Sequence, residues 1–189
     1  MIKFFKYFIQ SIFIYIFFLI GKLIGLKYSR KLFSFIFCKL GNLFKSKKIV
    51  EENFKNFSDK INNKEKNDII SNMWKNYGMT FIEYVYLDYF RKNNSHIKID
   101  GENNLKKIIE QKKPVIFVSG HFANYELMSM EITRNKIKLA TIYRPLNNYF
   151  LNPFMEFLRK KFVCNNQIKK GINGVRESIE YIKNGYSIA

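Results

Sequence analysis

Cysteine, proline and acidic side chains are all scarce in this chain. Its two cysteines, Cys38 and Cys164, cannot build a disulfide framework; each reads as an ordinary buried or half-buried thiol, and nothing points to an oxidising compartment. With three prolines and nine glycines in 189 residues there is no proline-rich linker, and no internal repeat or low-complexity tail appears. No HxxxH or CxxC pair exists, so a metal site has no support. Acids are missing altogether from residues 1–48, which carry ten Lys/Arg. Residues 49–110 carry ten of each sign, and residues 111–189 carry thirteen bases against five acids. The net charge is +18. Lys, Asn, Ile and Phe are all abundant, as an AT-rich genome imposes through its codons, so the lysine excess is in part compositional.

What is present is apolar. Hydrophobic residues make up 47% of the chain and aromatics 17%, which excludes a mostly disordered polypeptide, and the length suits one moderate domain. Residues 7–21 contain no charge. Fifteen helical residues reach about 22 Å, short of the roughly 30 Å hydrocarbon core. Lys3, Lys6, Lys22 and Lys27 flank the run and have stems long enough to snorkel, so the 23 residues from Phe4 to Leu26 suffice to span. A cleaved signal peptide lacks its small-residue cleavage site here. A buried helix is rarely apolar on every face at the extreme N-terminus. A retained anchor, spanning or interfacial, fits best, and the larger basic excess after it predicts that residues 27 onward face the cytoplasm. The patch Leu32–Phe37, followed by Lys39 and Lys45, reads equally as an interfacial helix on anionic lipid or as a core helix. Composition thus divides the chain into a membrane anchor with a basic interfacial helix, 1–48, and a main domain, 49–189.

The main domain is expected to be α/β. Residues 51–67 read as a short helix and a loop. From Lys66 to Lys92 apolar residues recur at three and four, as in a long core helix, with a lipid-chain groove as the alternative. Ile97-Lys98-Ile99 alternates like a strand, residues 105–112 read as a helix, and Pro114–Ser119 reads as a strand buried on both faces. Helices are expected at 125–135, 150–162 and 174–184, the last stopped by Gly185, with strands at 139–143 and from Tyr186. Strands alternating with helices predict a mostly parallel sheet flanked by helices. A chain that ends a few residues into a strand reads as part of a longer protein whose C-terminal portion is missing.

Chemistry concentrates in Val118-Ser119-Gly120-His121-Phe122-Ala123-Asn124-Tyr125-Glu126. Ligands of parallel sheets sit at the carboxyl ends of strands, where His121 falls, in a turn that Gly120 permits. Asn124 suits a helix N-cap, which places Glu126 in the first turn, where negative charge is favoured. On one continuous helix, side chains five apart diverge by about 140°, so contact between His121 and Glu126 needs a bend between them. A carboxylate on one ring nitrogen fixes the tautomer and makes the other nitrogen a base for a hydroxyl nucleophile. By spacing alone a structural histidine at a helix start explains the same residues.

The segment resembles the H-x4-(D/E) signature of the glycerolipid and lipid A acyltransferases. It is most similar to the bacterial lauroyl/myristoyl acyltransferases of lipid A, whose version typically reads GHFGNWE. The similarity extends to Gly101 and the helix after it, to Ile142-Tyr143-Arg144-Pro145-Leu146-Asn147-Asn148, to Arg159, to Gly174-Val175-Arg176 and to Lys183-Asn184-Gly185. An N-terminal anchor belongs to the same pattern. Family members continue to an aspartate-containing motif and a further sheet segment; this chain stops a few residues short of it.

The resemblance implies a glycerolipid-acyltransferase-like fold and a mechanism without a cofactor. His121 would be the general base, oriented by Glu126. Acyl carrier protein would be the donor, and a hydroxyl of a lipid A precursor the acceptor. Arg144 and Arg159 would bind acceptor phosphates or support the site, with Asn124 beside them. The setting would be the bacterial inner membrane, with the catalytic domain facing the cytoplasm. A lysophospholipid or other glycolipid acceptor, or a non-catalytic membrane-associated fragment of the fold, are the alternatives. The basic surface suits acidic carrier protein and lipid headgroups. Nucleic acid is excluded as partner, because no helix-turn-helix, zinc or RNA-binding signature accompanies the charge. His96 and Cys164 receive no role.

Overall fold

The computed structural model describes residues 2–43, 47–57 and 61–189. Twenty-three residues without proline form helix α1 (Ile2–Ile24), about 34 Å long at the helical rise and apolar enough to cross a membrane. Only 17% of its most apolar window is buried. Gly25, at φ 81°, takes a left-handed conformation that glycine alone adopts without strain and separates α1 from α2 (Leu26–Leu40). After a 3₁₀ turn at Gly41–Leu43 come α3 (Lys47–Phe57) and α4 (Asn63–Glu83). The start of α4 is fixed by a capping box: the Asn62 side chain accepts from the Glu65 amide at 2.9 Å and Glu65 Oε2 accepts from the Asn62 amide at 3.0 Å.

The expected long helix from 66 to 92 is not continuous. It breaks into α4, a 3₁₀ turn at Tyr84–Tyr86 and α5 (Leu87–Lys92). Within that turn the Val85 carbonyl accepts from Lys22 Nζ at 2.8 Å, a partner outside the helical ladder. The rest of the chain forms α6 (Glu102–Gln111), α7 (Glu126–Arg134), β1 (Leu139–Tyr143), α8 (Asn152–Phe162), β2 (Asn166–Lys169), α9 (Ile172–Lys183) and β3 (Ser187–Ile188).

Contacts gather these elements into two compact units, residues 1–15 with 87–189, and residues 16–86. In the second unit α2 packs along α4, although the two helices lie on either side of residue 48. Its centre is aromatic: Phe81 meets Phe18, Phe33 and Phe37 at ring separations of 4.9, 5.8 and 5.4 Å. The patch at 32–37 divides accordingly, with Phe33 buried in this core and Leu32 and Phe35 exposed.

In the first unit a three-stranded parallel sheet runs in the order β2-β1-β3. The architecture is mostly helical with a small parallel sheet, consistent with the expected α/β class. Ala140, Ile168 and Ile188 form the sheet's core, with Tyr181 of α9 packed on them. Asn184 and Gly185, at φ 80°, end α9 as expected.

Two expected strands need correction. Ile97–Ile99 is not a strand: among the described residues no strand pairs with it, and the Ile97 amide instead closes a turn onto the Asn94 carbonyl at 3.2 Å. Pro114–Ser119 is not buried on both faces. It joins the sheet by one parallel bridge, Ile116 to Ile188, and Ile116 and Val118 are 70% and 91% exposed. The backbones of Val115 and Phe117 bond to Ile188 at 3.0 and 2.8 Å, while among the described residues nothing covers the Ile116 and Val118 side chains. One strand was not anticipated: β2, whose only buried residue is Ile168.

Candidate active site

The carboxyl ends of the parallel segments bring two loops to the same end of the sheet. One follows the Ile116 bridge and carries His121; the other follows β1 and carries Arg144. In the first, the Phe122 amide donates to the Gly120 carbonyl at 2.9 Å, a three-residue turn with His121 at its tip. Gly120 is not the residue with unusual backbone; Ala123 is, at φ 49°. The imidazole is exposed and lies against the Tyr125 ring, 4.3 Å between centroids.

Helix α7 begins immediately after this bend. Tyr125, not Asn124, occupies its N-cap position, because the bend at Ala123 delays entry into the helix; Asn124 contributes its backbone carbonyl to the Leu127 amide at 3.2 Å. Glu126 stands in the first turn as expected, where the helix dipole favours a carboxylate.

The Glu126 side chain points inward. Its Oε1 accepts from Arg159 Nε at 2.6 Å, with the two side chains only 8% and 11% exposed. A buried carboxylate is tolerated only when it is paired and hydrogen-bonded, and Arg159 supplies both conditions. No hydrogen bond or ion pair joins His121 to Glu126 among the described residues. The structure thus brings Glu126 and Arg159 together, sets the His121 ring against Tyr125 at a tilt of 60°, and leaves Arg144 exposed after β1.

Helix α8 places Arg159. Asn152, Glu156 and Arg159 recur at four and three, which puts them on one face. Pro153 near the start of α8 suits a helix beginning. The guanidinium of Arg159 lies 5.9 Å from the centre of the Tyr143 ring. The Tyr143 hydroxyl donates to Glu156 Oε1, and Asn152 Nδ2 donates to the same oxygen at 2.8 Å. Asn152 Oδ1 in turn accepts the Leu146 amide at 2.8 Å. Burial raises the Tyr143 phenol well above its ordinary range, and the Glu156 hydrogen bond adds to the rise. The same hydrogen bond holds the Glu156 carboxyl below the ordinary carboxylate range.

Tyr143, Glu156 and Asn152 were not singled out from sequence. The spacing of Asn152, Glu156 and Arg159 was the signal available, since one of the three was already a candidate. Nor was the support behind α7 visible. There Arg91 Nη1 donates to the Met130 carbonyl at 2.9 Å, and Thr133 Oγ1 donates to the Val163 carbonyl at 2.7 Å, tying α5 and the end of α8 to α7.

The first half of α1 packs on the segment after Arg144. Asn148 Nδ2 donates to the Tyr7 carbonyl at 2.9 Å, and the Tyr15 hydroxyl donates to the Phe150 carbonyl at 2.7 Å. Phe4 and Phe8 meet the Phe150 ring edge-on at 4.9 and 5.3 Å.

No curated protein matches this chain. The family model for bacterial lipid A biosynthesis acyltransferases does, across residues 2–189, and the chain belongs to that family.

Proposed function

We propose that this protein transfers a fatty acyl chain from the thioester of acyl carrier protein to a hydroxyl of a lipid A precursor. The observation that carries the reading is the exposed His121 at the tip of a turn, one helix entry away from the buried Glu126–Arg159 pair, in a chain of this family. His121 removes the proton from the acceptor hydroxyl as its oxygen attacks the thioester carbonyl. The tetrahedral oxyanion collapses with cleavage of the C–S bond, and the proton held on His121 passes to the departing thiolate.

Glu126 orients His121 in this mechanism through a contact made with substrates in place, since catalytic hydrogen bonds often tighten only then. Arg159 pairs with the Glu126 carboxylate and fixes its direction, a supporting role that its burial favours over direct contact with the acceptor. Arg144, exposed on the neighbouring loop with Asn124 on the opposite one, meets the acceptor phosphate. No cofactor takes part. Helix α1 anchors the protein in the bacterial inner membrane with its catalytic unit on the cytoplasmic side.

The test is acyl transfer from labelled acyl carrier protein to a lipid A precursor in membranes containing the full-length protein. His121→Ala is expected to lower turnover by about 10²–10⁴, the range for loss of a general base. Equal product from wild type and variant would return His121 to a structural role. Wild-type membranes that acylate lysophospholipid but not the lipid A precursor would replace the acceptor and keep the chemistry.

A further inference from the structure

Two hydrogen-bonded residues bracket the Arg144-Pro145 turn, and both are held by α8. Tyr143, on the residue before Arg144, donates to Glu156; the Leu146 amide, just after Pro145, donates to Asn152. Glu156 closes the circuit by accepting from Asn152 Nδ2 with the oxygen that Tyr143 uses. The same helix face ends in Arg159, which reaches Glu126 at 2.6 Å. A half-buried carboxylate with two donors on one oxygen is a fixed point, not a solvated surface charge. Nothing in the proposed chemistry needs Glu156 to touch a substrate, yet it stands where the placement of Arg144 is decided.

We infer that Glu156 is a positioning residue for acceptor recognition: through Tyr143 and Asn152 it fixes both ends of the Arg144-Pro145 turn to the helix that carries Arg159, so one helix face sets Arg144 and the Glu126 pair in common register. The inference rests on the reading that Arg144 meets the acceptor's phosphate. It assigns to Glu156 an effect on acceptor binding rather than on proton transfer. The carboxylate's role is geometric, so an amide oxygen at the same place can accept from both donors and recover most of the effect.

The experiment measures KM for the acceptor, KM for acyl carrier protein thioester and kcat in Glu156→Ala, Glu156→Gln, Tyr143→Phe and the double variant Tyr143→Phe/Glu156→Ala. Loss of a charge-assisted hydrogen bond that holds the turn is expected to raise acceptor KM about tenfold in Glu156→Ala and in Tyr143→Phe. Donor KM stays within about twofold, Glu156→Gln recovers most of the loss, and the double variant is no worse than the more impaired single variant, because both remove one link. A fall in kcat with acceptor KM unchanged, or additive losses in the double variant, overturns the inference.

Arg144→Ala, run beside them, separates the two levels of the reading. Unchanged acceptor KM in Arg144→Ala removes Arg144 from acceptor recognition, and with it the effect on the acceptor assigned to Glu156. A second readout needs no turnover. Hydrogen exchange of the segment containing the Leu146 amide is expected to speed up about tenfold in Glu156→Ala and not in Glu156→Gln, as Asn152 loses the oxygen that orients it. Equal exchange in wild type and Glu156→Ala overturns the inference even where wild-type membranes make no product.

Discussion

Arg159 and Glu126 lie 33 residues apart in sequence and meet at 2.6 Å in a place where both are almost closed to solvent. Two helices are thereby pinned at one point, α8 through its last turn and α7 through its first. Separating such a pair is costly in one direction only: removing one partner strands a charge in the interior, whereas removing both leaves two neutral side chains that can pack.

Arg159→Met is therefore expected to destabilise the protein by about 3–5 kcal/mol, and Glu126→Leu by a similar amount. For a chain of this size that corresponds to a fall in Tm on the order of 10 °C. The double variant Arg159→Met/Glu126→Leu is expected to regain at least half of the loss while transfer stays abolished. Thermal melts in detergent beside the transfer assay check this. Additive losses in the double variant would mean that the two side chains act independently.

Ala123 carries the strain of the bend before α7. At φ 49° an L-residue pays roughly 1–2 kcal/mol in the left-handed region, and glycine pays none. Part of the gain from Ala123→Gly is lost to the greater freedom of the unfolded chain. The net expectation is stabilisation by about 0.5–1 kcal/mol, read as a rise in Tm. A fall in Tm would mean that the Ala123 methyl makes contacts worth more than the backbone strain. The family-like pattern GHFGNWE has glycine at this point, and the positive φ supplies a physical reason for it.

His96 is an acid-sensitive group in the first unit. Among the described residues neither ring nitrogen has a hydrogen-bond partner, and the ring lies 4.4 Å from that of Phe90, with Tyr89 beyond at 6.3 Å. Burial lowers its pKa below the ordinary imidazole value of 6.5, Arg134 lowers it further, and Glu131 opposes them weakly. A depressed folded-state value means that the stability tied to neutral His96 is fully present above pH 6.5 and is lost as pH falls through the folded value. His96→Phe keeps the ring and removes the proton site. Wild type is expected to lose more Tm than His96→Phe between pH 7.5 and pH 5, and parallel losses would show that other groups carry the acid limb.

Much of this fold is written in local pattern. The apolar run before Lys22 announces α1, the three-and-four spacing from Ile69 announces α4, and Gly185 marks the end of α9. Where the sequence misleads, a neighbour decides. Val115-Ile116-Phe117-Val118 is as apolar as any buried strand, but among the described residues no element packs over its Ile116 and Val118 side chains. Conversely Asn166–Lys169 is nearly all polar and still forms a strand, because β1 supplies a partner over four residues and Ile168 fills the sheet core. β2 lies between the helices at 152–162 and 172–183, and it was not anticipated from the sequence, because hydropathy marks no strand there.

The site was legible as a set of residue types and not as a set of contacts. His121, Glu126, Arg144 and Arg159 stand out by motif, yet the motif pairs His121 with Glu126 while the folded chain pairs Glu126 with Arg159. That contact joins two helices across 33 residues of chain, a distance over which no local pattern operates. Glu156 lacked a motif and emerges only through the oxygen it offers to Tyr143 and Asn152.

The packing of Tyr7, Phe4, Phe8 and Tyr15 against residues 148–154 bears on how the protein is to be handled. Trimming away the greasy first helix is the usual route to a water-soluble enzyme that purifies without detergent. Here it would strip the Phe4, Phe8 and Tyr15 rings from Phe150 and Phe154 in the stretch that follows Arg144. A shortened form would gain solubility and lose the shape of the loop, so a preparation without those first residues that shows no turnover says little about the chemistry of the intact chain.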